Sequence, residues 1–156
     1  TAGQQVDFLT RCTYNLLWAA AEEGVPRVVF LSTLELMTGY DPNFTVSETW
    51  RPRPPVEPRV LAKHLGELTS REFAREGRIS MVVLRLGKVV RAEEVQGQPF
   101  DPLWVEEGDV VHAVSCALTA KLGKWQVFHI QPDSPRSRFA VRRAKATLGY
   151  QPKFRW

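Results

Sequence analysis

Two neighbouring hydroxyls, Ser32 and Thr33, end the run Val28-Val29-Phe30-Leu31-Ser32-Thr33. The run is short, apolar, β-branched and aromatic. It predicts a strand buried on both faces, the mark of a parallel sheet. In open α/β sheets ligands bind at the carboxyl ends of the strands, so both hydroxyls stand where a reactive group would stand. Thr33 reads equally as a strand end that caps the next turn. Arg59 and Lys63 lie four apart, a spacing that puts both on one helix face. Together they suit an anion, or simply a solvated face. Tyr40 leaves the same strand end as Thr33. His64 has an ordinary pKa near neutrality, but it adjoins Lys63 and so points off the Arg59–Lys63 face. Glu67, four after Lys63, is placed to pair with it at the surface, where such pairs are worth little. Asp109 reads as a helix cap rather than an acid. His112 and His129 share no ligand-like spacing with each other or with a cysteine, so no metal centre is expected. Trp50 and Trp104 fall on rim loops, where they are placed to contact a ligand.

These residues need elements to position them. Val6, Leu9, Thr13, Leu16, Leu17 and Ala20 recur at helical spacing, and Gly24 and Pro26 stop the pattern. The strand from Val28 follows. From Thr38 to Pro58 six prolines and glycines exclude a central strand; this reads as a long loop forming a functional rim. Pro58 suits a first helical turn, and Val60, Leu61, His64, Leu65, Leu68 and Phe73 continue as a helix to Gly77. Ile79 to Leu86 reads as a second buried strand and Gly87 to Pro102 as irregular. Val110, Val111, Val114 and Leu118 mark a third helix opened by Gly108-Asp109. Trp125 to Ile130 is a third strand, and Ala140 to Leu148 a last helix closed by Gly149 and Pro152. Alternating helices and strands predict βαβ units: an α/β, partial Rossmann-like parallel sheet with flanking helices, in one domain over residues 1–156. No G-x-G-x-x-G sequence occurs, so the phosphate cradle of a dinucleotide fold is missing from these residues.

Composition narrows the partners. The 156 residues are 44% hydrophobic and 24% charged, as in globular proteins generally. No run approaches the roughly 18–20 apolar residues of a membrane span, and no leader is expected. Cys12 and Cys116, isolated in helical segments, read as buried free thiols in a reducing compartment, here the cytoplasm. The net charge of +4 gathers at the end, in Arg136, Arg138, Arg142, Arg143, Lys145, Lys153 and Arg155. No nucleic-acid motif accompanies it, so a solvated basic helix face is expected rather than nucleic-acid binding.

Asn15-Leu16-Leu17 with Ala19-Ala20-Ala21, then Gly24-Val25-Pro26-Arg27-Val28-Val29-Phe30-Leu31-Ser32-Thr33, resembles the middle of an extended short-chain dehydrogenase/reductase, the NAD-dependent epimerase/dehydratase group. The resemblance runs on through Lys63-His64-Leu65-Gly66-Glu67 and Val82-Val83-Leu84-Arg85 to Leu148-Gly149-Tyr150-Gln151-Pro152. The short segment after Ile130 is more similar to compact members such as uronate dehydrogenases. The resemblance implies NAD or NADP as cofactor, a sugar or nucleotide sugar as ligand, and a homodimer through the helix at Val6–Ala21 and the helix bearing Lys63. It also implies that the chain begins after the strands that carry the glycine-rich loop. The strand at Val28 would then have an open edge, to be covered by an upstream segment or a partner chain.

In that family a tyrosine acts as acid/base, and a lysine four residues on lowers its pKa and holds the cofactor ribose. A serine or threonine binds the substrate oxygen, and an asparagine supports a water relay. The resemblance gives Thr33 the hydroxyl role, Lys63 the lysine role, and Ser32 and Lys63 the cofactor contacts. The tyrosine position is Arg59 and the asparagine position Leu9. Arginine stays protonated and is no general base, so two of the four roles are unfilled. Tyr40 and His64 are the residues available to stand in. Two functions remain from this reading: an NAD(P)-dependent enzyme acting on a sugar or nucleotide sugar, or a non-catalytic scaffold keeping the fold.

Overall fold

The computed structural model describes residues 1–154. Helix α1 spans Ala2–Glu22; Thr1 caps it, its hydroxyl accepting from the backbone N–H of Gln4. Strand β1, Arg27–Thr33, runs into a single 3₁₀ turn, Leu34–Met37. After an irregular stretch comes α2, Pro58–Arg75, with proline in its first turn and Glu57 accepting from Arg59 and Val60 N–H. Then follow β2 (Ser80–Leu86), β3 (Lys88–Val90), β4 (Trp104–Glu106), α3 (Glu107–Thr119), β5 (Trp125–Ile130) and a π-helical turn, Ala144–Leu148.

Strands β1, β2 and β5 form a parallel sheet in that order, with Thr33 opposite Leu86 and Arg85 opposite His129. Side chains alternate across it. One face carries Val28, Phe30 and Met81 against Leu17, Phe73 and Ala74 of α1 and α2. The other carries Val82, Leu84, Phe128 and Ile130 against Ala113, Ala117 and Leu148. Arg27 ties β1 to this second layer, because its guanidinium donates to the carbonyls of Ala117, Leu118 and Ala120 that α3 leaves unpaired. Helix α2 comes very close to β1. A Cβ on Gly66 would lie 2.5 Å from the tip of the Phe30 ring, so only glycine lets the helix settle there.

Several expectations are corrected. It is β2, not β1, that is buried on both faces. Among the described residues β1 has a strand neighbour on one side only, and Leu31 is 41% exposed. The stretch after Thr38 is more than a rim. Val46 forms a parallel bridge with Phe139, Glu48 accepts from the N–H of His129, and Val46 joins Leu34, Leu36, Met37 and Val60 in a core cluster. It therefore packs beside the outer edge of β5. Residues 87–102 hold β3, which pairs with β4 because Gly87 lets the backbone pass close to the Leu103 carbonyl. The cap of α3 is Glu106. Asp109 lies inside the first turn, buried, and accepts from the N–H groups of Lys153 and Phe154. The last helix shrinks to the π turn. Of the basic tail, Arg138 donates to the Tyr40 carbonyl, Arg143 to Gln126, and Lys145 to Asp133; Arg155 lies outside the described residues. Cys12 is exposed and Cys116 half-buried, both free, so neither is the buried thiol expected. Among the described residues no helix is long and apolar enough to cross a membrane, and no cluster of three potential metal ligands occurs.

Candidate functional site at the carboxyl end of β1

Leu31, Thr33 and Glu35 follow one another at a spacing of two where β1 ends, and α2 reaches the first and the last of them. Lys63 Nζ donates to the Leu31 carbonyl at 2.7 Å. That carbonyl points away from the sheet: Pro26 accepts from Ser80 of β2, and in a parallel strand alternate carbonyls face opposite sides. Arg59 Nη2 donates to both Glu35 oxygens, at 3.2 and 3.0 Å. Thr33 sits between these two anchors. Its Oγ1 accepts from the Glu35 N–H at 3.2 Å, capping the 3₁₀ turn, which leaves the hydroxyl proton free to donate. Thr33, Arg59 and Lys63 thus stand around one strand end, and Thr33 caps the following turn.

Lys63 is half-buried, its ammonium 5.3 Å from the Phe30 ring centroid. Burial, and then the Arg59 charge, hold its pKa below the ordinary lysine value. With one donor spent on Leu31, two remain for a ligand hydroxyl or anion. Ser32 points the other way along the pleat, towards α2. It is buried, and its Oγ has no hydrogen-bond partner among the described residues.

The two stand-ins do not reach this cluster. Tyr40 donates its hydroxyl to the Arg51 carbonyl at 2.6 Å; its ring meets Trp50 edge-on at 4.8 Å and carries the Arg53 guanidinium at 4.1 Å. His64 lies round the helix beside Glu67 and Arg85, and burial depresses its pKa. Among the described residues neither Tyr40 nor His64 therefore hydrogen-bonds Thr33, Lys63 or Arg59. The arrangement can hold hydroxyls or an anion; it cannot exchange a proton through Arg59.

Glu67 corrects another expectation. It does not meet Lys63; it is buried and takes Arg85 Nε and Nη2 in a fork, at 2.9 and 2.7 Å. This pair bolts α2 onto β2 one turn below Lys63. Sequence reasoning missed Glu35 altogether, because a single acid between Leu34 and Leu36 carries no periodic signal. It also missed an aromatic cleft of ≈ 310 Å³ beyond β3, lined by Gln96, Gln98, Phe100, Trp104 and Arg136. Of the two rim tryptophans, Trp104 lines that cleft, with its ring edge-on to Phe100 at 6.2 Å.

Residues 4–102 match the model of the NAD dependent epimerase/dehydratase family. The chain is 26% identical to the NAD-dependent glucose-6-phosphate dehydrogenase of Haloferax volcanii, over 90% of this chain and 58% of that protein. Its fold superposes on glucuronic acid dehydrogenase from Chromohalobacter salexigens with a TM-score of 0.77 at 23% identity, covering 91% of this chain and 52% of that one. A short-chain dehydrogenase/reductase superfamily protein from Agrobacterium tumefaciens, solved with bound NAD, gives 0.79 at 20% identity, over 94% of this chain and 68% of that one. The chain thus spans little more than half the length of the first two. Since the family match runs over more than half of the 156 residues, the chain belongs to the NAD dependent epimerase/dehydratase family.

Proposed function

We propose that this chain belongs to an NAD(P)-binding protein that takes a sugar or nucleotide sugar and has given up the family's acid/base step. One observation carries the reading. Thr33 and Lys63 meet at the end of β1, where the resemblance puts the family's hydroxyl and lysine, while Arg59, which the resemblance puts at the tyrosine's place, donates to Glu35. Support for the ligand classes comes from relatives: one solved relative is described in complex with UDP-glucuronic acid and NAD.

The residues present fit the nicotinamide-ribose end of the cofactor. Lys63 offers two free donors at the carboxyl end of the sheet, and Thr33 one hydroxyl proton towards a substrate oxygen. Bound NAD(P) would supply hydride acceptance. The pyrophosphate cradle has to come from outside these residues, which contain no G-x-G-x-x-G sequence. The open edge of β1 is the place for that segment. A second copy suits α1, whose outer side exposes Phe8 (65%), Leu16 (67%) and Trp18 (47%). We assign the protein to the cytoplasm on the same reading.

Calorimetric titration of NAD and NADP into the natural protein carrying this chain tests the cofactor half. Saturable binding of one of them, weakened at least tenfold by Lys63→Ala, is the expected result. Absence of binding by either cofactor would overturn the reading in favour of a scaffold.

A further inference from the structure

We propose that the cleft between α2 and β5, roofed by the loop at Trp50, is a second binding site, for a small organic anion. Its carboxylate or phosphate would meet Arg51 and Arg71, and its apolar face would lie against Trp50 and Trp125. The site does not depend on the function proposed above. The cleft has a volume of ≈ 550 Å³, inside the range of roughly 300–1,000 Å³ usual for small-ligand sites. On α2 it is lined by His64, Glu67, Leu68 and Arg71, which form one helical stripe. That stripe is rotated away from the Arg59–Lys63 face, so the two sites are separate.

Counting hydrogen-bonding groups decides the ligand's charge. The Arg51 guanidinium has no carboxylate partner among the described residues. Arg71 has only the adjacent Glu72, at 3.5 Å and at an exposed position. Arg85 gives Nε and Nη2 to Glu67, but its Nη1 finds only the Met37 thioether, a weak acceptor. His64 Nδ1 is buried with no partner. On the acceptor side, Glu67 has both oxygens on Arg85, and Glu48 gives one to the His129 N–H. Donors therefore exceed acceptors around the cleft, and an acceptor-rich ligand balances them. Burial lowers the His64 pKa most, Glu67 opposes this, and Arg85 and Arg51 add to it. Apart from Thr49, the remaining wall is apolar. Trp50 is braced edge-on by Tyr40 at 4.8 Å and Phe44 at 6.0 Å, and Trp125 opens β5 across from it. A rigid indole beside guanidinium groups suits a flat organic anion better than a bare one.

Calorimetry with benzoate, phenyl phosphate and inorganic phosphate tests this on the natural protein carrying the chain, beside the double variant Arg51→Gln/Arg71→Gln. Both arginines are exposed, and an unchanged thermal melt of the double variant verifies its fold. The expected result is one saturable site for benzoate or phenyl phosphate, weakened at least tenfold in the double variant and unchanged in Lys63→Ala. Whichever of the two binds tighter names the anionic group. Four results would overturn the proposal: no saturable binding, binding indifferent to the double variant, binding lost in Lys63→Ala, or inorganic phosphate binding as tightly as phenyl phosphate.

Discussion

Two carboxylates decide what Arg59 of α2 and Arg85 of β2 do. Glu35 captures Arg59 in a pair whose arginine is 61% exposed, and such a pair contributes at most about 1 kcal/mol. Glu67 captures Arg85 with both side chains almost fully buried, 6% and 5% exposed. Removing one partner of a buried pair costs about 3–5 kcal/mol, because the other charge stays behind unpaired. Glu67→Gln is accordingly expected to shift the denaturant midpoint far more than Arg59→Ala; equal small shifts would mean that Arg85 is rehydrated. Neither role was legible in the sequence. Spacing alone put Glu67 opposite Lys63 at i, i+4, yet the partner across the sheet lay 18 residues away. His129 is the residue with the clearest pH consequence. Burial, and then the Arg85 charge, push its pKa down to about 3. Above the unfolded value, roughly 6.5, folded and unfolded chains are both neutral there and the histidine adds no pH dependence. As pH falls from about 6.5 towards about 3, only the unfolded chain takes the proton, so stability drops by up to ~1.4 kcal/mol per pH unit. Urea melts of wild type and His129→Phe across this window should show the flatter profile in the variant; parallel profiles would contradict a buried neutral imidazole.

At the scale of elements, periodicity located α1, α2, β2 and β5 because each is long enough to carry a pattern. Strands β3 and β4, three residues each, are defined by each other rather than by a pattern. The final π turn and the loop at Val46 likewise exist through tertiary partners that sequence reasoning does not see. Helix α2 is the element on which the candidate site depends, and its seat on β1 is set by Gly66 over Phe30. Gly66→Ala should push α2 off β1, cost about 1–3 kcal/mol as overpacking does, and loosen the Lys63–Leu31 bond. Phe30→Leu in the same chain should restore most of the loss, since it removes the ring tip that the new methyl meets. Thermal melts of the two single variants and the double variant check this; simple additivity would rule out the steric explanation.

For the whole molecule, the alternation of helices and strands made the parallel sheet legible, and the family resemblance is that of the model matched by residues 4–102. The place of β1 in the sheet was misread. An apolar β-branched run looks the same whether its neighbours are two strands or one, so burial on both faces was expected where Leu31 is open to solvent. The open edge, the exposed side of α1 and Lys63 all lie on or beside α1, α2 and β1. The outer edge of β5 is covered by the loop at Val46, whose Glu48 accepts from the His129 N–H. Among the described residues the sheet is thus covered on the β5 side and open on the β1 side.

In the function proposed above, Arg59 has silenced acid/base chemistry on a fold that still holds its ligands. Turnover tests it most directly, by following absorbance of the reduced nicotinamide over a panel of hexoses, uronates and nucleotide sugars with NAD and NADP. The natural protein and its Arg59→Tyr variant are assayed side by side. The natural protein should show no rate above background, and any rate that emerges only in Arg59→Tyr would trace the loss to that one residue. Turnover by the natural protein that Arg59→Tyr leaves unchanged would contradict it.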